Sequence, residues 1–339
     1  MDIEIDGGSG EGGGQIVRTA VGLACALGRS VCIREIRKGR RQPGLRAQHI
    51  AGIELAAEMC DAEVSGLEIG STEVGFRPVS NTGGRFEIDV GTAGSVSLVL
   101  QTCMIPAVTA KGPTELLIRG GTDVPWSPPI DYLRMVVLPL LQSMGADAEL
   151  SVAQRGFYPA GGGEVVARVS PCGGLKGADL TSRGDLIGME GSIVCRNLPD
   201  HVVERARNAA AKGLAGHRTP RFSVDSAKGP STGLSLVLAA RFENSVMGAS
   251  CLGEKGLPAE KVGEIAARDL LEEMSSGAAL DAYASDQMVP FMFLASGSSR
   301  FTASELTAHA RTNLRVAGQF VRRKVATEES DDSVLVSIE

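Results

Sequence analysis

The stretch DIEIDGGSGEGGGQIVRTAVGLACALG, residues 2–28, contains the pattern from which the fold class of this chain is predicted. In residues 2–6, apolar and charged side chains alternate, as they do in a half-buried strand. Residues 7–14 contain six glycines, and residues 15–28 carry apolar side chains at the spacing of a helix with a buried face. The stretch therefore predicts a strand, a glycine turn and a buried helix, which together form one βα unit.

Similar βα units follow along the chain. Each has a short strand, a turn and an apolar helix: a strand at 86–90 with a helix after Gly94, a strand at 115–119 with a helix at 130–144, and a late strand at 279–283 with a helical segment after Asp286. This degenerate repetition predicts an α/β (α+β) fold, in which sheets built from duplicated βα-type units pack against helices.

The segment 185–275 differs in character from those units. Its predicted elements, in order, are a strand at 191–195, a helix at 201–214, strands near 220–226, 233–241 and 245–251, and a helix that starts at Pro258. We therefore expect a smaller α/β domain at 185–275, inserted into a large domain formed by 1–184 and 276–339.

The composition is that of a globular protein. The 339 residues are 43% hydrophobic and 22% charged, which excludes a disordered chain. No apolar run approaches the length of a transmembrane helix, and residues 1–14 lack the features of a secretory signal, so no membrane association is expected. The seven scattered cysteines form no C-x-x-C pair, which predicts a reducing, cytoplasmic compartment. The net charge of −6 argues weakly against a nucleic-acid partner.

The glycine loop at 7–14 can direct backbone N–H groups at an anion, and the start of the following helix favours negative charge. The loop is neither a Walker A motif nor a dinucleotide-binding fingerprint, so a simple tight turn is an equal alternative. Glu11 gains nothing from packing among glycines, and its carboxylate is a candidate ligand for a metal ion or a hydroxyl group.

A basic segment at 34–49, REIRKGRRQPGLRAQH, contrasts with the acidic chain. Between Arg34 and Arg46 the local charge is +5. Guanidinium groups bind phosphate oxygens bidentately, and the turn residues in this segment favour a phosphate site over a solvated run of charges. Arg46 and His49 are three residues apart, so they share a face at the start of the helix expected near Leu45.

Three further segments contain candidate functional groups. The loop GGTDVPWSPP at 120–129 offers flat proline rings, and YASDQ at 283–287 offers a tyrosine that can stack on a base, although both segments also fit a structural role. Only four histidines are present, which excludes a convincing multi-histidine metal site. Among them His309 stands in a polar setting, TAHARTN, where an imidazole can be held as a base or a nucleophile.

Taken together, these segments closely resemble the RNA 3′-terminal phosphate cyclase family. The matching pieces occur in the family's order: 6–18 (DGGSGEGGGQIVR), 37–50 (RKGRRQPGLRAQHI), 90–101 (VGTAGSVSLVLQ), 120–129, 156–163 (GFYPAGGG), 283–287 and 307–313. The resemblance implies a large domain of three repeated α/β units with a smaller inserted domain. It also implies ATP-dependent conversion of an RNA 3′-phosphate to a 2′,3′-cyclic phosphate, through an enzyme-histidine-AMP adduct and an adenylated RNA end, with a divalent metal, Mg or Mn.

The same resemblance implies residue roles. His309 corresponds to the adenylated nucleophile, Glu11 to a metal ligand, and Pro128 and Tyr283 to the pair that holds the adenine. The other implied ATP-site residues are Gln101, Ala284, Ser285, Asp286 and Gln287. The residues implied to hold phosphates of ATP or RNA are Arg18, Arg37, Arg40 and His49.

Two other functions remain open at this stage. One is the cyclase-like branch, whose members act in ribosome assembly and lack the nucleophilic histidine, which is present here as His309. The other is an enolpyruvyl transferase, which shares the repeats but needs no adenylated histidine. The oligomeric state and the physiological RNA are not predicted.

Overall fold

The computed structural model describes all residues, 1–339. Its first sheet is built from residues 3–77. The elements are β1 (Ile3–Asp6), α1 (Gly14–Leu27), β2 (Val31–Arg34), α2 (Ala47–Cys60), β3 (Glu63–Ser65) and β4 (Val74–Arg77). Strand β1 is parallel to β2, whereas β4 is antiparallel to both β2 and β3, which gives the order β1-β2-β4-β3. The predicted strand, glycine turn and helix of residues 2–28 are confirmed as β1, its loop and α1.

A second sheet repeats this topology. The elements are β5 (Gly84–Asp89), α3 (Val96–Ala107), β6 (Thr114–Gly120), α4 (130–143, with a π-helical turn at Leu133–Val137), β7 (Asp147–Gln154) and β8 (Gly163–Ser170). The order is β5-β6-β8-β7, again with a parallel first pair and antiparallel later pairs. The two βα units predicted near 86 and 115 are therefore halves of one βαβαββ repeat.

A third repeat starts with β9 (Asp179–Leu180) and is then interrupted. The interrupting elements are β10 (Leu186–Arg196), α5 (Asp200–Gly213), β11 (Arg221–Ala227), β12 (Gly233–Phe242), β13 (Val246–Leu252) and α6 (Ala259–Ser275). They form a separate sheet of order β11-β10-β12-β13, with α5 and α6 on one face. We call residues 186–275 the inserted module.

The third repeat then resumes with α7 (Ala282–Leu294), β14 (Ser299–Ala303), α8 (Ala308–Phe320), β15 (Val325–Glu329) and β16 (Val334–Ile338). Its sheet order is β9-β14-β16-β15, so all three repeats share one connectivity. The predicted strand at 279–283 is wrong. The Asp281 carboxylate accepts hydrogen bonds from the backbone N–H groups of Tyr283 and Ala284, at 3.0 and 2.9 Å, and so caps a helix there.

Two hydrophobic clusters hold these parts together. The larger contains 69 buried residues, all but three of them from the three repeats, and the smaller contains 20 residues between the inserted sheet and its two helices. Because side chains alternate along a strand, β12 serves both clusters: Leu236 and Leu238 face α5 and α6, whereas Val237 faces the repeats. This second cluster supports our proposal that 185–275 forms a domain of its own. None of the helices has the length and apolar character needed to cross a membrane.

Candidate active site

A chain of hydrogen bonds joins the first long helix of each repeat. Arg18 on α1 donates its Nε–H to Gln101 Oε1 on α3, at 3.1 Å. Gln101 Nε2 in turn donates to Gln287 Oε1 on α7, at 3.0 Å. The three residues occupy the fifth or sixth position of their helices, so the shared topology brings them to one place. Three segments that are far apart in the sequence, and that the sequence assigned to phosphate and ATP binding, are thereby brought together.

A second set of polar groups supports this chain from α7 and α8. Thr19 donates to Asn313 Oδ1 at 2.6 Å, and Asn313 Nδ2 donates to the carbonyl oxygen of Asp286 at 2.7 Å. Burial raises the pKa of Asp286 to about 8, even though Arg18 opposes that shift. Burial lowers the pKa of Arg18 to about 10. The groups form the polar wall of a cavity of about 60 Å³, whose other wall is the apolar face of α3 and α4.

The glycine loop presents Glu11 to the start of α8. One carboxylate oxygen of Glu11 forms an ion pair with Arg40, so the basic segment and the glycine loop meet here. The other oxygen is buried, has no hydrogen-bond partner, and lies 3.8 Å from Nδ1 of His309. A Cβ atom at Gly13 would collide with this carboxylate, and one at Gly10 would lie 2.8 Å from the Thr312 hydroxyl. The glycines therefore make room for Glu11 and for α8.

His309 is the second residue of α8 and lies two residues after Thr307, whose hydroxyl caps the helix by accepting from the Ala310 N–H at 2.9 Å. The imidazole is 43% exposed, and its Nδ1 has no hydrogen-bond partner. Partial burial lowers the pKa of His309, and the positive charges of Arg18 and Arg40 lower it further. The ring is therefore neutral at physiological pH and accessible from solvent.

The orphaned carboxylate oxygen, Glu11 Oε2, fits a divalent cation that completes its shell elsewhere. No group of three or more His, Cys, Asp or Glu side chains is close enough to hold a metal ion alone. Mg²⁺ is commonly bound by one or two carboxylates together with substrate phosphates and water. The single carboxylate of Glu11 matches this type of site, in which substrate phosphates and water supply the remaining ligands.

The basic segment contributes unequally to this site. Arg40 contacts Glu11, as described. Arg37 donates to the carbonyl oxygens of Gln42 and Gly44, at 2.9 and 2.8 Å, and so shapes its own loop. His49 is 5% exposed, and burial lowers its pKa to about 3. His49 is therefore neutral, and it brings no positive charge to a phosphate.

Pro128 lies just before α4, and Tyr283 lies in the first turn of α7. A hydrogen bond joins the starts of these two helices. The Tyr132 hydroxyl, near the start of α4, donates to Asp281 Oδ1 at 2.5 Å, and Asp281 caps α7. Tyr283 is 64% exposed and available for stacking. Its neighbours Ala284 and Ser285 are completely buried. These two residues therefore lie beneath the site and do not face open space.

Sequence reasoning missed Arg315. Its guanidinium group approaches the position of a Cβ on Gly10 to 3.1 Å, and it has no carboxylate partner. It lies one helical turn after Thr312, which contacts the same glycine. The spacing of Thr312 and Arg315 along α8 was the available signal, because residues three apart share a helix face. Gln15, whose buried Oε1 lacks a partner, gave no comparable signal.

Comparisons with known proteins show the family to which the chain belongs. The family model described as RNA 3′-terminal phosphate cyclase matches residues 9–327. A protein of Archaeoglobus fulgidus named RNA 3′-terminal phosphate cyclase is 45% identical, over 96% of this chain and 98% of its own length. Proteins of the same name from Methanosarcina barkeri and Nitrosospira multiformis are each 44% identical, over 99% and 96% of this chain and 99% and 94% of their own lengths. The chain therefore belongs to the RNA 3′-terminal phosphate cyclase family.

Proposed function

We propose that this protein uses ATP to convert the 3′-phosphate end of RNA into a 2′,3′-cyclic phosphodiester, and that it releases AMP and pyrophosphate. The observation that carries the proposal is the environment of His309. A neutral, accessible imidazole stands beside a buried carboxylate that pairs with an arginine, at the place where the first helices of three repeats converge. A nucleophile among cationic side chains suits attack on a phosphoryl group.

The first step follows from the orientation of the imidazole. Nδ1 of His309 faces Glu11, so the ring proton is favoured on that nitrogen and Nε2 keeps its lone pair. Nε2 attacks the α-phosphorus of ATP, the bond to the β-phosphate oxygen breaks, and pyrophosphate leaves. The product is a phosphoramidate between His309 and AMP. Negative charge on the phosphoryl oxygens is stabilised by Arg18, Arg40 and Arg315, of which Arg315 was not predicted from the sequence.

Glu11 is the residue that would hold a divalent metal, Mg or Mn. When bound, such an ion neutralises charge on phosphoryl oxygens. The ion pair with Arg40 fixes the carboxylate, so that its second oxygen is directed toward His309. Glu11 therefore has two functions of its own: it orients the imidazole, and it balances the positive charge of the basic segment.

The nucleoside part of ATP is held at the starts of α4 and α7. Tyr283 supplies an exposed ring. Pro128 lies on the loop before α4, and the hydrogen bond between Tyr132 and Asp281 ties the start of α4 to the start of α7. Gln101 and Gln287 place amide groups in the same region, where they can bind ribose or phosphate oxygens. Ala284 and Ser285 act by forming the first turn of α7 on which Tyr283 is mounted.

The later steps transfer AMP and close the ring. An oxygen of the RNA 3′-phosphate attacks the adenylate phosphorus, and Nε2 of His309 leaves, which restores the free enzyme. The neighbouring ribose 2′-hydroxyl then attacks the activated 3′-phosphorus, loses its proton, and expels AMP. This last attack is intramolecular, so little entropy is lost in reaching the transition state.

The test is labelling with ATP that carries radioactive phosphorus in the α-position. We expect an acid-labile protein–AMP adduct in the wild type and none in His309→Ala. A 3′-phosphorylated oligoribonucleotide should discharge the adduct and become cyclised, whereas one with a 2′-deoxy terminus should accept AMP but not cyclise. Undiminished labelling of His309→Ala would reject the nucleophile. A protein that never labels would favour a scaffold role or enolpyruvyl transfer.

We also propose a cytoplasmic location. All seven cysteines are free in the structure, five of them buried. A chain that relies on no disulfide fits a reducing compartment. Fractionation of cells that express the protein at its natural level tests this, and recovery from a secreted fraction would contradict it.

A further inference from the structure

The exposed aromatic side chains have an uneven distribution. Of the thirteen aromatic residues in the chain, only three are mainly exposed: Trp126 at 99%, Tyr158 at 67% and Tyr283 at 64%. All three lie in segments that carry the family resemblance, namely the loops 120–129 and 156–163 and the segment 283–287 at the start of α7. The proposed function uses Tyr283, and it leaves Trp126 and Tyr158 without a role.

The loops that carry Trp126 and Tyr158 form one connected unit. The Thr122 N–H donates to the carbonyl oxygen of Gly156 at 2.8 Å, and the Gly156 N–H donates to the Thr122 hydroxyl oxygen at 3.0 Å. Asp123 and Phe157 form the next bridge between the loops. Each exposed aromatic residue therefore closely follows a segment that is hydrogen-bonded to the other loop.

The backbone at Trp126 is held in an unusual conformation. Its φ is 62°, in the left-handed region that a bulky residue rarely adopts. The Ser127 hydroxyl closes the turn by donating to the carbonyl oxygen of Val124 at 3.0 Å. The folded chain gains no burial of the indole in return, because the side chain is almost fully solvated. Conformations of this kind are concentrated at sites that bind a ligand.

The surroundings of Trp126 fit a planar ligand better than a protein partner. Its neighbours in the loop are prolines and a serine, and none of the large exposed aliphatic side chains of the protein lies in either loop. A protein interface would require a contiguous apolar surface, whereas a nucleobase needs only the face of one ring.

We propose that Trp126, together with Tyr158 on the connected loop, is a stacking platform for the nucleobases at the 3′ end of the RNA. This inference rests on the proposed function. The adenine of ATP is accounted for by Pro128 and Tyr283, and two residues of chain span at most about 7 Å, so a base stacked on Trp126 lies next to the nucleotide site. Stacking on aromatic rings is tolerant of base identity, so the platform fits an enzyme that acts on varied RNA ends.

Trp126 is the only tryptophan, so its fluorescence reports directly on this surface. Titration of the wild type with a 3′-phosphorylated single-stranded oligoribonucleotide should quench the emission, and ATP alone should quench it much less. In anisotropy measurements with labelled RNA, Trp126→Ala should raise the Kd about five- to a hundredfold. Trp126→Phe should recover most of the affinity. Val79→Ala, which shortens a side chain that is 68% exposed in another loop, serves as the matched control.

Abasic substrates identify the stacked nucleotide. An abasic site at the stacked position should weaken RNA binding to the wild type. With that abasic RNA, Trp126→Ala should lower the affinity little further, because the two changes remove the same contact. Equal RNA affinity of the wild type and Trp126→Ala overturns the inference. The inference is also overturned if the affinity losses from Trp126→Ala and from the abasic site add fully at each of the three terminal positions of the RNA.

Adenylation measured without RNA separates this inference from the proposed function. A wild type that forms no adduct, yet binds RNA with Trp126 quenched, contradicts only the proposed reaction. A wild type that cyclises RNA while Trp126→Ala binds RNA normally contradicts only the platform. Loss of adduct formation in Trp126→Ala without RNA would place the indole in the nucleotide site and overturn the assignment to RNA.

Discussion

His49 and His309 occupy corresponding places in two repeats, but they have different environments. His49 is the third residue of α2 in the first repeat, and His309 is the second residue of α8 in the third. Nδ1 of His49 accepts the Arg46 N–H at 3.0 Å, and its Nε2 lies against Gly14, where a Cβ would collide with it. His309 is 43% exposed and its Nδ1 is unpaired. The same residue type in the first turn of the second long helix is thus a helix cap in one repeat and a candidate nucleophile in the other.

The second repeat uses this position in a third way. Tyr132, the third residue of its α4, donates to Asp281 and so ties two helix starts together. Because the three repeats share their strand order, the fold sets where these side chains stand. The loops that face them set the chemistry: a packed helix start at His49, a buried aspartate at Tyr132, and a glycine loop with a carboxylate at His309.

The largest expected effect comes from replacing each of the two histidines by alanine, which tests whether their roles differ. His309→Ala should reduce cyclisation by at least about 10³-fold, because loss of a nucleophile removes the covalent route. His49→Ala should instead lower the free energy of unfolding by about 1–3 kcal/mol, because it removes a buried ring and leaves the Arg46 N–H without its partner. Adduct labelling and thermal unfolding of both variants check this. If His309→Ala were stable and still labelled, and His49→Ala were stable but unlabelled, His49 would be the nucleophile and His309 would not.

The second expected effect concerns the carboxylate that distinguishes the two histidines. Glu11→Gln keeps the shape of the side chain but removes the charge that faces His309 and pairs with Arg40. Adduct formation should fall about 10²- to 10³-fold, the range seen when one preorganised electrostatic group is lost. Glu54→Gln, an exposed change on α2, is the control in the same single-turnover assay. A Glu11→Gln enzyme as fast as the control would show that Glu11 only shapes the loop.

The sequence predicted the repeats better than it predicted their boundaries. Apolar periodicity and glycine turns located β1 with α1 and β5 with α3. The pattern could not show that the units at 86 and 115 pair within one sheet, since the parallel pairing of β5 with β6 is a long-range property. The strand expected at 279–283 failed because a short apolar segment fits either periodicity, and the Asp281 cap decided for a helix.

For the site, residue types were predictable and their protonation was not. The family resemblance implied that Glu11, Arg40 and His309 belong to one site, and the structure brings them together. It also grouped His49 with the cationic residues. The structure buries His49, and burial keeps its ring neutral. Burial of one side chain depends on packing between distant segments, which a local motif does not encode.

The third expected effect tests whether the repeats cooperate through their first helices. Gln101→Ala breaks the chain from Arg18 to Gln287, so Arg18 loses the acceptor that holds its guanidinium group. The KM for ATP should rise about tenfold, in keeping with the loss of a hydrogen bond to a charged group. Gln319→Ala, at an exposed position of α8, is the control. If Gln101→Ala bound ATP normally, the hydrogen bonds that join the three helices would stabilise the fold without contributing to ATP binding.

The smallest expected effect concerns the rule on which the His49 comparison depends, that burial outweighs neighbouring charge. Asp286 follows the same rule, because burial raises its pKa to about 8 although Arg18 opposes the shift. The folded state then keeps the Asp286 proton up to about pH 8, whereas the unfolded chain releases it near its usual pKa of about 4. The stability that comes from this proton is complete below about pH 4 and is lost as the pH rises toward 8.

Asp286→Asn removes this titration but keeps a side chain of similar shape. Between pH 5 and pH 8.5, the free energy of unfolding should therefore fall less in the variant than in the wild type, by about 1–2 kcal/mol, because water penetration and the Arg18 charge reduce the full effect. Urea unfolding at several pH values measures the difference, and Asp147→Asn at an exposed strand position is the control. Parallel stability curves for the wild type and Asp286→Asn would mean that Asp286 is ionised beside Arg18. Burial would then be insufficient to fix the charge of a side chain in this protein, and the neutral state of His49 would need direct measurement by the chemical shift of its ring.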